Sequence, residues 1–112
     1  MIYEVVLSEV APERRDEYLE TYKRAWRESN PPGCHAVRMM ACIEDPARVM
    51  TLIAWDSVEA HERARLRPEH ARFREAITPF RTGSGGGLAH YTFEDIAPPD
   101  WTVVPSPLAH EG

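Results

Sequence analysis

The sequence lacks the features that mark several large classes of protein. Its 112 residues include two cysteines and no C-x-x-C pair, so neither a disulfide-stabilised scaffold nor thiol redox chemistry is indicated. No run approaches the ~18 consecutive apolar residues of a membrane-spanning helix. Lys and Arg number 13 against 18 Asp and Glu, which argues against binding to nucleic acid, because phosphates require a basic surface.

The composition is that of one globular domain. A chain of 112 residues that is 43% hydrophobic and 28% charged can form a hydrophobic core without disulfides or metal. The N-terminal segment has no basic region or cleavage site, so we expect a cytoplasmic protein. We predict a folded domain over residues 1–95 and an acidic tail over 96–112, which contains four prolines. The tail is either disordered or an extended arm docked through Trp101.

Hydrophobic periodicity predicts the element order β-α-β-β-α-β. Residues 2–10 are β-branched and aromatic with partial alternation, which is typical of a strand. An apolar stripe at three- and four-residue spacing predicts a helix from Pro12 to Asn30. The remaining predicted elements are a hairpin of strands over 36–43 and 49–55, a helix from Val58 that Pro68 interrupts, a second helical segment over 69–77 and a strand over 88–93.

This order is the signature of a ferredoxin-like fold of the α+β class, an antiparallel sheet with its helices on one face. The opposite face of the sheet would stay apolar and uncovered, so we expect a homodimer in which two sheets pack together. The glycine-rich segment 82–87 predicts a flexible loop, and it lacks the Lys-Ser/Thr pair that follows a phosphate-binding loop.

Four segments resemble one family. W-D-S-V-E-A-H at 55–61, P-E-H-A-R-F at 68–73, E-D-P-A-R at 44–48 and A-H-Y-T-F at 89–93 resemble segments of the antibiotic biosynthesis monooxygenase family, over residues 1–95 as a whole. The resemblance implies a dimeric α+β barrel that oxidises an aromatic polyketide-type molecule with O₂, for example an anthrone or phenol to a quinone. A non-redox cyclase or isomerase using the same pocket is the second interpretation, and a non-catalytic small-ligand binding domain is the third.

The resemblance also implies positions for the site. Trp55 corresponds to a Trp that lines the pocket of the aromatic-polyketide oxygenases, and His61 stands where some of them carry a Tyr proposed to move protons. Thr51 replaces an Asn of those enzymes, a departure that favours the non-redox interpretation. A neutral His near a helix N-terminus is suited to accept a phenolic proton, although a His that only fills the helix–sheet junction shows the same pattern.

Arg38 is the candidate oxyanion partner, and alternation along its strand places it on the same face as Met40, either at the pocket or at the dimer interface. We expect no metal and no organic cofactor, with O₂ as co-substrate. A haem-degrading interpretation is disfavoured because residues 2–10 contain no Asn. The predicted catalytic residues are His61, Trp55 and Arg38, and the predicted substrate-binding residues are Thr51, Tyr22, Trp26, Met40, His70 and Phe73.

Overall fold

A computed structural model describes residues 1–82 and 89–97. The tail beyond residue 97, with Trp101, lies outside the described residues, as does most of the glycine-rich segment 82–87. The described elements are β1 (Ile2–Glu9), α1 (Arg15–Ser29), β2 (Cys34–Ala41), β3 (Arg48–Trp55), α2 (Val58–Arg65), α3 (Pro68–Ile77) and β4 (Ala89–Glu94), with single 3-10 turns at Pro12–Arg14 and Thr78–Phe80.

The four strands form one antiparallel sheet in the order β2-β3-β1-β4. This arrangement confirms the predicted ferredoxin-like α+β fold. β1 is a central strand, and it pairs with β3 on one side and β4 on the other, so residues from distant parts of the sequence become neighbours. None of the described helices has both the length and the hydropathy needed to cross a membrane.

Local sequence signals set the ends of the helices. Ser57 caps α2, because its hydroxyl accepts a hydrogen bond from the Ala60 amide at 3.1 Å. Pro68 separates α2 from α3 as predicted, and it occupies the first turn of α3, where its missing N–H costs nothing. α1 ends at Asn30, whose φ of 41° is left-handed, a conformation that Asn tolerates better than most residues.

The two faces of the sheet differ in what covers them. The helices cover one face, and the core beneath them includes the fully buried Tyr18 and the nearly fully buried Trp55 and Ile77. The other face exposes large apolar side chains, among them Tyr91 at 57% and Phe93 at 53% exposure. Two sheets packed on this face remain a prediction.

Candidate active site

A cavity of about 230 Å³ lies between the covered face of the sheet and the three helices. Its volume falls below the ~300–1,000 Å³ of common small-molecule sites, so it suits a compact ligand of one or two rings. Four aromatic side chains line it, from α1, β3 and α3, together with three imidazoles from α2, α3 and β4. These residues are Tyr22, Trp26, Trp55, Phe73, His61, His70 and His90.

The aromatic walls of this cavity pack against one another in fixed geometry. Tyr22 meets Phe73 edge to face with ring centroids 4.8 Å apart, and Trp26 meets Phe73 in the same way at 5.0 Å. Trp26 also lies edge to face with Trp55 at 6.1 Å. Each such pair adds about 0.5–1.5 kcal/mol beyond the burial of its area, so the walls are held rigidly rather than collapsing into the space.

Glu4 is the polar centre of the cavity. It faces the helices from β1, and its side chain is only 12% exposed. Its Oε1 accepts a hydrogen bond from Trp55 Nε1 at 3.0 Å and lies 3.2 Å from His61 Nε2. Its Oε2 lies 2.7 Å from His90 Nε2. Both carboxylate oxygens are therefore engaged, and side chains from β3, α2 and β4 converge on a residue of β1.

The surroundings of Glu4 keep it ionised. Burial alone would raise the pKa of this carboxyl, but hydrogen bonding and Coulomb attraction from His61, with hydrogen bonds from Trp55 and His90, outweigh burial and lower the pKa from 4.5 to about 2. An ionised carboxylate can only accept hydrogen bonds. The Nε2 atoms of His61 and His90 must therefore carry protons, and a neutral ring then has Nδ1 as its proton acceptor.

His61 is held on three sides. It lies in the first turns of α2, where its amide donates to the Ser57 carbonyl at 3.2 Å, and it is 5% exposed. Its ring stacks on Trp55 with centroids 5.1 Å apart and an interplanar angle of 24°. Glu4 fixes the orientation of the ring, an arrangement that positions a proton-transfer group and stabilises the imidazolium formed when that group accepts a proton.

The same three side chains have ligand atoms that lie close enough to hold a divalent metal ion. One ligand atom each from Glu4, His61 and His90 lies within 4.8 Å of the others. Two imidazoles and one carboxylate are a set found in non-haem iron sites. No metal site was predicted from the sequence, and the hydrogen bonds already described account for the positions of all three groups.

Six of the nine predicted site residues line this cavity: His61, Trp55, Tyr22, Trp26, His70 and Phe73. His70 lies in the first turn of α3, and its ring centroid is 5.9 Å from that of Phe73. Burial lowers the pKa of His70, and the neighbouring guanidinium of Arg74 adds to the effect. Its neutral form is therefore favoured.

The other three predicted residues do not line the cavity. Arg38 pairs with Leu52 on the uncovered face of the sheet, and Met40, two positions further on, lies on that same face. Strand alternation therefore keeps both side chains away from His61. Arg38 was expected either at the pocket or at the dimer interface, and a position at the pocket of its own chain is wrong. Thr51 does face the helices, but it is 1% exposed and packed behind the cavity wall.

Glu4, His90 and four arginines were not predicted from the sequence. Glu4 lies on the same face of β1 as Ile2 and Ser8, which are both buried. A charged residue on the buried face of the first strand was therefore the signal that could have identified Glu4 from the sequence. Strand alternation also places His90 on the face covered by the helices, but only once its pairing opposite Val6 is known. The arginines that line the cavity are Arg65, Arg67, Arg74 and Arg81, from α2, the junction between α2 and α3, α3 and the segment after α3.

Comparison with known proteins identifies related sequences and folds. The family model described as antibiotic biosynthesis monooxygenase matches residues 1–76. A comparison with curated proteins found no match.

Solved structures share the fold. A protein from Bordetella bronchiseptica, provisionally named an antibiotic biosynthesis monooxygenase, superposes with a TM-score of 0.75 at 19% identity, over 86% of this chain and 97% of that one. SnoaB from Streptomyces nogalater, a cofactor-independent oxygenase solved as a point variant, gives a TM-score of 0.70 at 16% identity, over 89% and 97% of the two chains. At these identities the likeness shows the fold.

Proposed function

Because the chain belongs to the antibiotic biosynthesis monooxygenase family, we propose that it is an oxygenase that oxidises a small aromatic molecule with O₂ and uses no bound cofactor. The observation that carries this proposal is the Glu4 carboxylate, held ionised against the buried ring of His61 at one end of an aromatic-walled cavity. The substrate is a phenol or enol with one or two rings, such as a hydroquinone or a naphthol, and the three-ring anthrone is the upper limit of size.

Proton removal is the step that the residues of this chain can catalyse. His61 accepts the acidic proton of the bound phenol or enol, and the imidazolium that forms is stabilised by Glu4 at 3.2 Å. The resulting anion is electron-rich enough to pass one electron to O₂. Recombination of the two radicals at a ring carbon that bears a hydrogen forms a C–O bond, and the peroxide anion takes back the proton held by the His61 imidazolium. Loss of water from the resulting hydroperoxide leaves the carbonyl of the quinone.

The cavity contributes by position and by exclusion of water. Phe73 and Trp55 are 5% and 2% exposed, so a bound ring would lie against two buried aromatic side chains. A bound ring would displace water from this end of the cavity, which strengthens the interaction between His61 and Glu4 and keeps the radical pair together until it recombines. SnoaB shares the fold and is a cofactor-independent oxygenase, which supports this chemistry on this scaffold.

Oxygen uptake by the purified protein, with a panel of hydroquinones, naphthols and anthrones, tests the proposal. His61→Gln keeps an N–H donor toward Glu4 but cannot take up a proton, so we expect uptake to fall by about 10²–10⁴-fold. His35→Gln is the matched control, because His35 is an exposed histidine that pairs with Asp56 outside the cavity. Full uptake in His61→Gln, or equal losses in both variants, would contradict the assignment.

A non-redox cyclase or isomerase is the second candidate, and one residue favours it. Thr51 stands where the resemblance calls for an Asn, and its hydroxyl is buried without a hydrogen-bond partner among the described residues. Proton transfer by His61 would serve either reaction. Turnover under strict exclusion of O₂ separates them, because the oxygenase stops and the cyclase does not.

We also propose that the chain forms a homodimer through the uncovered face of the sheet. Tyr91, Phe93 and Met40 are 57%, 53% and 39% exposed on that face, and exposed apolar surface of this kind often marks a protein–protein interface. Analytical ultracentrifugation of the full chain tests this, with Phe93→Glu as the disrupting variant and Ile43→Glu, in the β2–β3 turn, as its control. A wild-type monomer at micromolar concentration would refute it.

A further inference from the structure

The charge lining the cavity is opposite to that of the chain as a whole. Acids outnumber bases in the sequence, 18 to 13. Yet four arginines line this one cavity, and Glu4 is the acidic residue among its lining side chains. The carboxylate of Glu4 already interacts with Trp55, His61 and His90.

Arg67 is explained by contacts within the protein. Its Nε lies 3.2 Å from Glu69 Oε2, and its Nη1 donates to the carbonyls of Ser29 and Asn30 at 3.2 and 3.3 Å. These contacts tie the start of α3 to the end of α1. Arg67 therefore has a structural task and is not available to a ligand.

The other three arginines have no such explanation. Within residues 1–82 and 89–97, neither Arg65, Arg74 nor Arg81 lies within 4.0 Å of a carboxylate oxygen. Arg81 is the most informative, because its Nε is buried and has no hydrogen-bond partner among those residues, while its Nη2 makes a long 3.5 Å contact with the Tyr18 hydroxyl. A buried donor left unpaired is unfavourable, and more so when it is charged, unless something else accepts from it.

The backbones of Arg81 and Glu4 lie at opposite ends of the cavity. The backbone of Arg81 pairs with Val10, which lies six positions along the strand direction from Glu4, about 20 Å at 3.3 Å per residue. The side chains of Arg81 and Glu4 nevertheless line the same cavity. A ligand that touches both ends must therefore be elongated, with its two polar groups at opposite ends of the ring system.

We propose that the substrate is an aromatic carboxylate, bound through its carboxylate by Arg81 with Arg74, so that the hydroxyl at the far end of the rings reaches His61. The role of His61 in this inference rests on the proposed function, whereas binding of the carboxylate by the arginines does not depend on it. Arginine suits the task because its planar fork matches a carboxylate in two parallel hydrogen bonds. Among the described residues neither Arg81 nor Arg74 pairs with a carboxylate, so a bound carboxylate supplies the opposite charge that both lack.

The test is equilibrium binding under exclusion of O₂, followed by quenching of tryptophan fluorescence, so that no turnover is required. The first probe is 6-hydroxy-2-naphthoate, whose polar groups lie at opposite ends of two fused rings, and the second is its carboxamide, which has the same shape without charge. We expect the carboxylate to bind at least about tenfold more tightly at low salt, with a preference that shrinks as ionic strength rises. The positional isomer 1-hydroxy-2-naphthoate, whose polar groups are adjacent, should bind more weakly than the elongated acid.

Variants assign the preference to residues. Arg81→Gln should remove most of the preference for carboxylate over carboxamide, and Arg74→Gln, on an exposed position of α3, should reduce it without a folding risk. Arg63→Gln is the control, because Arg63 lies on α2 near Arg65 but does not line the cavity. Equal affinity of wild type for the two probes would overturn the inference, as would a preference that survives in both Arg81→Gln and Arg74→Gln.

The two proposals fail separately. Preferential binding of the naphthoate with no O₂ uptake from any ligand would sustain the anion site and refute the oxygenase. Rapid O₂ uptake with neutral naphthols, together with equal binding of the acid and its carboxamide, would support the oxygenase and refute the anion site.

Discussion

Replacement of Glu4 by Gln should weaken the fold in a manner that depends on pH. The Glu4 side chain is 12% exposed, and its pKa falls from 4.5 to about 2 in the folded chain. A tenfold change in an ionisation constant corresponds to about 1.4 kcal/mol, so the ionised carboxylate contributes about 3 kcal/mol at neutral pH. Small domains are stable by about 5–15 kcal/mol, which makes this a large fraction of the total.

The sign follows from the direction in which the pKa moves. Because the pKa of Glu4 is lower in the folded state, its contribution is fully present above pH 4.5 and is lost as the pH falls towards 2. Glu4→Gln cannot ionise, and its amide N–H₂ group faces donors from Trp55, His61 and His90 that need acceptors. The gap between wild type and variant should therefore be widest near pH 7 and narrow steadily below about pH 4.5.

Urea denaturation at several values between pH 7 and pH 3, monitored by tryptophan fluorescence and circular dichroism, measures that gap. Glu62→Gln is the control, since Glu62 is exposed on α2 next to His61 and should change the free energy of unfolding by less than about 0.5 kcal/mol. The prediction is refuted if Glu4→Gln is as stable as wild type at pH 7. It is refuted equally by a deficit that stays constant down to pH 3.

Three further outcomes are expected. Gly33→Ala should destabilise the fold by more than about 1 kcal/mol in the same denaturation assay. Gly33 has a φ of +85°, and an added Cβ would lie 2.8 Å from the Cβ of Ala60. Unchanged stability of the variant would contradict this prediction. Trp55→Phe removes the indole donor to Glu4. It should lower the free energy of unfolding by about 1–3 kcal/mol and should also lower the rate of O₂ uptake. A variant in which neither quantity changes would show that this hydrogen bond contributes to neither stability nor activity. Dialysis against EDTA should leave O₂ uptake unchanged, and a loss restored by Fe²⁺ would assign a metal to the imidazole–carboxylate cluster.

The sequence predicted the fold well because the fold depends on local periodicity. Pro68 and Ser57 mark the ends of helices by their own chemistry, and their effects are visible without knowledge of the partners. The aromatic stripe of α1 predicted that Tyr22 and Trp26 face inward, since an amphipathic helix turns its apolar face to the core, and both side chains line the cavity.

The site was predicted only in part because its polar contacts span the whole chain. Glu4 and His90 are 86 positions apart, and nothing in either segment states that their strands are neighbours. The place of Arg38 stayed open between the pocket and the dimer interface for a related reason, because alternation shows which residues share a face but not which face the helices cover. The three arginines that pair with no carboxylate among the described residues could not be told from ordinary exposed arginines until the cavity was known.

The central position of β1 has a consequence for synthesis of the chain. β1 leaves the ribosome before either of its neighbours, and β4, which carries His90, follows 86 positions after Glu4. At about 5–20 residues per second, the outer edge of β1 waits roughly 4–17 s for its partner. During that interval a row of backbone hydrogen-bonding groups is open to pairing with other nascent chains. The Glu4 charge, meanwhile, has no imidazole from β4 beside it.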